Sequence, residues 1–300
     1  HQKGLSNGWV SVLWLTYILS QGNHTKMHVQ EWAMKRQYLL QELTGEQIGA
    51  EDFTDDSLGL ILKRLSNEDT WHRIENELWQ SSLVIHQVQL KGVRLDSTTS
   101  YGYHKTSAEG VMQQGYSKDH RPDLAQLKLI LAVAEPSGVP IASDIVSGER
   151  ADDPLYVPLI KRVRQILRGK PGLLYTGDSK MAAIATRTNI VAHDDYYLTV
   201  LPHTGETAQQ WQEWQDAIIE GNQTATLIWQ EDRLLGGGYE FARSLTFLDE
   251  ETDRPVTWTE RVQLVRSRER AQQEIVLLTK RLEQAAAALT QLTPDRKSVV

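Results

Sequence analysis

The sequence predicts an α/β fold, a mixed sheet core with a helical region before it and a β-rich insertion ending in a long helix after it. Three observations carry this expectation. Apolar residues recur at helical spacing over roughly the first 85 positions. Strand-length apolar runs separated by turn residues replace them from about Leu83. From Arg266 to about Leu292 the pattern is helical again. The boundaries read from this are 1–85 for the helical region, 86–202 for the core and 203–300 for the insertion and long helix.

At the N-terminal end, Trp9, Leu13, Trp14 and Ile18 lie on one helical face, and Val29, Trp32, Ala33, Arg36 and Leu39 define a second helix. Asp55-Asp56-Ser57 supply N-cap residue types for a helix through Leu58, Ile61, Leu62 and Leu65. Glu68-Asp69 open a fourth, with Trp71, Ile74, Leu78 and Trp79 on one side.

In the core, a strand starting near Gln87 ends in Val93-Arg94-Leu95-Asp96. Gln126–Ala134 and Val139–Val146 are two apolar runs joined by Glu135-Pro136-Ser137-Gly138, which reads as an antiparallel hairpin. Asp153 and Pro154 suit the cap and first turn of a helix through Leu155, Leu159, Val163 and Leu167. Leu173–Thr176 is a short buried strand, Met181–Arg187 a short helix and Tyr196–Leu201 another strand. Three strands, a helix, a strand, a helix and a strand suit an antiparallel meander followed by a crossover to parallel strands. That is the ribonuclease-H-like arrangement. Beyond Pro202, Trp211, Trp214 and Ile218 suggest a helix. Thr224–Trp229, Tyr239–Phe247 and Pro255–Val265 read as strands, and Gly236-Gly237-Gly238 as a turn.

Composition limits the function classes. The chain has 300 residues, no cysteine and a net charge of −7. Disulfides, thiolate zinc sites and Cys nucleophiles are excluded. No apolar run approaches the roughly 20 residues that cross a bilayer. The acidic balance runs against a nucleic-acid binder, although local patches matter more than the sum. Lys161, Arg162, Arg164, Arg168 and Lys170 form one such basic run.

Asp96 and Asp178 stand at the ends of the first and fourth core strands, which are neighbours in this arrangement. Converging carboxylates repel unless a cation joins them, and hard oxygen ligands favour Mg²⁺ or Mn²⁺. Each Asp taken singly also suits an ordinary turn or cap. Lys118, His120 and Arg121 in the loop before the second strand, and Lys180 just after Asp178, are candidate phosphate contacts. A solvated loop accounts for the first three equally well. His193-Asp194-Asp195 reads as a loop rather than a metal cluster.

Several blocks are specific: Val93-Arg94-Leu95-Asp96-Ser97-Thr98-Thr99, Ser117–Leu124, Gly148-Glu149-Arg150-Ala151-Asp152-Asp153-Pro154-Leu155-Tyr156, and Tyr175-Thr176-Gly177-Asp178-Ser179-Lys180-Met181-Ala182. With Gly4–Val10 and Ile18–His24, they resemble the DDE transposases of bacterial insertion sequences over nearly the whole chain. The resemblance implies a cytoplasmic bacterial enzyme that cuts and joins DNA at terminal inverted repeats with Mg²⁺ or Mn²⁺, paired as a homodimer in the synaptic complex. It makes Asp96 and Asp178 the first and second acids of the triad. The family's third acid is a Glu set Tyr, two residues, Arg, three residues, Glu, six residues, Lys or Arg. Arg270, Glu274 and Arg281 keep those spacings, but Ser267 stands in the Tyr position. Glu274 is thus a candidate third acid, and an exposed helix explains the same charges. The expectation is that the third acid lies beyond Val300 and that the chain is a fragment truncated at both ends. It would then be inactive by itself, or serve as a binding fragment for DNA or the intact transposase.

Overall fold

The computed structural model describes residues 4–116 and 120–292. Helices α1 (Asn7–Gln21), α2 (Val29–Lys35), α3 (Gln37–Thr44) and α4 (Asp55–Leu65) bury one cluster that includes Trp14, Tyr17, Trp32, Phe53 and Leu58. Side-chain caps set their starts. Ser6 accepts from the Trp9 amide at α1, and Thr54, rather than the Asp residues after it, accepts from Ser57 at α4. Helix α5 (Glu68–Ile85), capped by Asn67, belongs to a different cluster: Trp79 is packed into the sheet core with Leu159, Ile160 and Tyr175.

Among the described residues, five strands form the central sheet in the order β3-β2-β1-β4-β5. They are β1 (Gly92–Gly102), β2 (Ala125–Glu135), β3 (Pro140–Ser147), β4 (Leu174–Gly177) and β5 (Tyr196–Thr199). The first three pair antiparallel; β4 pairs parallel with β1, and β5 parallel with β4. This is a ribonuclease-H-like fold. The crossover helix α6 (Tyr156–Ile166) packs on β2 and β3, and α7 (Ile184–Val191) links β4 to β5. β1 runs past Asp96 because β2 pairs with it along its whole length, from Gly92–Glu135 to Gly102–Ala125.

The two faces of this sheet differ. Val93, Leu95, Ile130, Ala132 and Tyr175 are buried toward α6. On the opposite face Ile145, Leu174, Tyr196 and Leu198 are exposed.

Of the basic run, Arg162 and Arg164 are buried, Lys161 is half-exposed, and Arg168 and Lys170, beyond α6, are exposed. Arg162 pairs with Asp144 at 2.6 Å and with Glu75 of α5 at 3.2 Å, and Arg164 with Asp195 at 3.1 Å. Lys161 pairs with Glu251 at 3.2 Å. Arg162 and Arg164, buried and paired, cannot be offered to DNA. Asp195 also accepts from the Leu173 amide, so the His193–Asp195 stretch is a structural loop.

Beyond α8 (Gly205–Ile219), strands β6 (Thr226–Gln230), β7 (Arg233–Asp249) and β8 (Arg254–Ser267) form an antiparallel sheet, and α9 (Arg268–Leu292) follows. The triple glycine is not a turn. Gly236 lies inside β7, opposite Ile228 of β6 and Ser267 of β8. A Cβ there would stand 2.3 Å from the Arg266 carbonyl oxygen, so the close backbone approach requires glycine.

Glu260 of β8 fastens this sheet to the core. It accepts from Arg187 of α7 and Tyr197 of β5, each at 2.6 Å, and from Arg243 of β7. Burial pushes its carboxyl up, but the Tyr197 hydrogen bond and the charges of Arg187 and Arg243 together outweigh this and leave it below the ordinary range. A lowered folded-state value stabilises the protein above the unfolded value and loses that stabilisation as pH falls through the folded one. Glu260→Gln should cost about 3 kcal/mol at neutral pH, because it leaves buried guanidinium charge uncompensated. Its stability should also fall less steeply than wild type below about pH 4.3. Urea unfolding across pH measures both; matching curves would refute the assignment.

Candidate active site

β1 and β4 are joined by two parallel pairs, Val93 with Tyr175 and Arg94 with Thr176. The same register carried two residues on sets Leu95 beside Gly177 and Asp96 beside Asp178. Adjacent strands lie about 4.8 Å apart, so the two Asp residues stand at neighbouring positions where β4 ends. Gly177 supports this closeness, since the position of a Cβ there is 3.4 Å from the Leu95 carbonyl oxygen. It is also 2.7 Å from Met181 Sδ, so only glycine lets the following turn fold back, closed by the Met181 amide on the Asp178 carbonyl at 3.1 Å.

Strand alternation puts Asp96 on the exposed face, opposite Leu131 of β2. Asp178 follows the last residue of β4 and sits at the rim. Its Oδ1 accepts from the Tyr156 hydroxyl and from the Lys180 amide, both at 2.9 Å. Asp96 Oδ1 accepts from the Ser97 amide at 2.8 Å. The Thr199 hydroxyl donates to the Asp178 carbonyl, tying β5 to the same turn.

Tyr156, the first residue of α6, is fully buried and was not singled out by sequence. Burial first, then the hydrogen bond to Asp178 and the negative charges of Asp178, Asp96 and Asp152, push its hydroxyl far above the ordinary value. It therefore remains a proton donor to Asp178 at any physiological pH. Asp152 pairs with Lys128 of β2 at 2.7 Å, both buried. The signal for Tyr156 was its place in the first turn of the crossover helix, directly after that Asp-Asp-Pro block.

The other candidates lie apart from this pair. His120 and Arg121 precede β2 at the Gly102 end of β1, six residues beyond Asp96, or about 20 Å along the strand. Arg121 is held by Asp123 through two hydrogen bonds of 2.9 and 2.8 Å; these, with one involving Tyr103, hold its proton more firmly than usual. Lys118 lies outside the described residues. Lys180 is half-exposed, its Nζ 4.0 Å from Asp153. Glu274 is exposed on α9, which packs against β7 and β8. Among the described residues no three His, Cys, Asp or Glu side chains gather as a metal site, so Glu274 does not join Asp96 and Asp178. Ser267, in place of the motif's Tyr, accepts from the Arg270 amide at 3.3 Å at the start of α9. No described helix is long and apolar enough to cross a membrane.

No protein-family model matches the chain, and no curated protein matches its sequence. Among solved structures it is similar to piggyBac transposase in a synaptic complex with hairpin DNA, at 9% identity and a TM-score of 0.35 over 84% of this chain and 50% of that one. It is also similar to Mos1 mariner transposase in a paired-end complex with Mn, at 11% identity and TM-score 0.26 over 74% and 73%. A third likeness is to Ciona intestinalis endonuclease V bound to DNA, at 10% and 0.20 over 69% and 83%. The chain spans about half the length of the piggyBac transposase chain. At these scores the overlap carries no weight, and the fold assignment stands on strand order.

Removing the Tyr156 hydroxyl tests the described hydrogen bond. Tyr156→Phe should lower stability by about 2 kcal/mol, as for a bond to a charged acceptor. Tyr156→Ala should cost about 4 kcal/mol by leaving a void. Urea midpoints separate the two; a Phe variant as stable as wild type would show that the bond is not made.

Proposed function

We propose that the chain is part of a DNA transposase of the DDE class, related to those of bacterial insertion sequences, and that Asp96 and Asp178 are the first two of its three metal-binding acids. The observation that supports this reading is the register of β1 and β4, whose pairs Val93–Tyr175 and Arg94–Thr176 lead two residues on toward Asp96 and Asp178 from distant sequence blocks. Carboxylate oxygens at a sheet rim suit Mg²⁺ or Mn²⁺. Such ions, when bound, activate water and steady the leaving oxygen of a phosphodiester.

The chain's own residues have defined tasks in this reading. Tyr156 and the Lys180 amide hold one Asp178 oxygen and leave the other to face a cation. The Lys180 ammonium, and Lys118, His120 and Arg121 further along, would contact DNA phosphates. The partners would be terminal inverted repeats, target DNA and a second copy of the protein.

A second reading has its own support: among the described residues no three His, Cys, Asp or Glu side chains gather as a metal site. A chain so built would bind DNA or an intact transposase without cutting.

The two are separated by measuring Mn²⁺ binding and Mg²⁺-dependent nicking of DNA that carries the element's ends. The transposase reading expects weak Mn²⁺ binding by this chain, abolished in both Asp96→Ala and Asp178→Ala. It also expects nicking only by a longer form that supplies the third acid. Unchanged Mn²⁺ binding in both variants would sink the site assignment.

A further inference from the structure

The β1–β2 ribbon runs on past the end of β4, and at its tip lies a cavity separate from the carboxylate pair. Its volume is about 560 Å³, within the range of roughly 300–1,000 Å³ usual for small-molecule sites. Tyr103, His104, Lys105, Gln114 and Asp123 line it.

The walls are held in place by the protein itself. Gln113 and Gln126 exchange two backbone hydrogen bonds of 2.9 Å. The Gln113 side chain donates to the Ser107 and Gly110 carbonyls at 2.6 and 2.8 Å, and the completely buried Gln126 donates to the Tyr116 carbonyl at 2.7 Å. These bonds pin the stretch that carries Gln114 onto β2. At the end of β1, a Cβ on Gly102 would stand 3.1 Å from the His104 ring, so glycine lets the imidazole lie against the strand. Arg121 grips Asp123 with two hydrogen bonds and keeps it ionised, so this carboxylate only accepts.

The lining selects the ligand. Tyr103 is 90% exposed, so its ring gives the fold little burial energy and suits a stacking platform. The Asp123 carboxylate in the wall repels a bare phosphate. An aliphatic ligand would desolvate Gln114 and Asp123 without pairing them. A nucleobase satisfies every wall: its face stacks on Tyr103, its edge meets Gln114 and Asp123, and Lys105 reaches the adjoining phosphate. We propose that this cavity holds one unstacked base of a single DNA strand. That the polymer is DNA rests on the transposase reading; the cavity chemistry by itself requires a nucleotide. Gly102 stands six residues beyond Asp96, or about 20 Å. At a rise of about 3.4 Å per nucleotide this is about six nucleotides from the carboxylates. Thr98 and Ser100 lie between, exposed on the same side as Asp96, and offer hydroxyls to the intervening phosphates.

The test uses the whole chain in EDTA and a hexanucleotide carrying one 2-aminopurine among abasic positions. Without neighbouring bases, the fluorescence of that base reports stacking on protein alone. Wild type should quench it and bind it about tenfold more tightly than a fully abasic hexanucleotide. Tyr103→Ala should abolish the quench and weaken binding about tenfold, while Tyr103→Phe, which keeps the ring, should retain both. Tyr103 is exposed, so the thermal transition should be unchanged in either variant. The quench should persist in Asp96→Ala with Asp178→Ala. If those carboxylates hold no metal but the quench is intact, the transposase site assignment fails alone. No quench by wild type, a quench that survives Tyr103→Ala, or equal binding of the abasic strand overturns the base site, whatever the metal measurements give.

Discussion

The geometry of this molecule turns on a very short parallel ladder. Val93 with Tyr175 and Arg94 with Thr176 are the pairs that seat β4 against β1. Both Val93 and Tyr175 are completely buried, so apolar packing under α6 holds the register that the few hydrogen bonds begin. A one-residue slip would turn Tyr175 outward and expose it. It would also move Asp178 out of line with Asp96. The side chains that stabilise the sheet therefore also fix where Asp96 and Asp178 stand along their strands.

Around this core the fold spends many charges internally. Arg162, Arg164, Arg187 and Lys128 are buried, and each is matched by a carboxylate within 3.2 Å. Buried charge is tolerated only when paired, and such pairs are better at fixing one arrangement than at adding stability. Here they join separate stretches of chain. Arg162 ties α5 to α6 and β3, Arg164 ties α6 to the loop before β5, and Arg187 ties α7 to β8. Because each of these cations is matched by a carboxylate, the buried pairs do not account for the net charge of −7, which the rest of the chain still carries.

What could be read beforehand followed from local physics. Strand order was legible because apolar runs, Gly/Pro punctuation and one crossover helix leave few topologies. The place of Asp178 directly after β4 was legible because it closes an apolar run. The extent of β1 was not, because what prolongs it past Asp96 is pairing with β2. The triple glycine was misread as a turn because glycine marks both turns and close strand contacts, and only the neighbouring β8 backbone distinguishes them. The basic run read as a local patch because the carboxylate partners of Arg162 and Arg164, namely Glu75, Asp144 and Asp195, are distant in sequence. Tyr156 was passed over since an aromatic on a buried helix face needs no explanation beyond packing until its hydroxyl is seen on Asp178.

The uncovered side of the central sheet has a consequence for how such a centre is completed. Asp96 shares that side with Ile145, Leu174, Tyr196 and Leu198, all open to water. Any segment that shields this patch, from the same polypeptide or another, must descend beside the Asp96 carboxylate as it does so. Covering the apolar patch and closing off the Asp96 carboxylate from water become a single docking event.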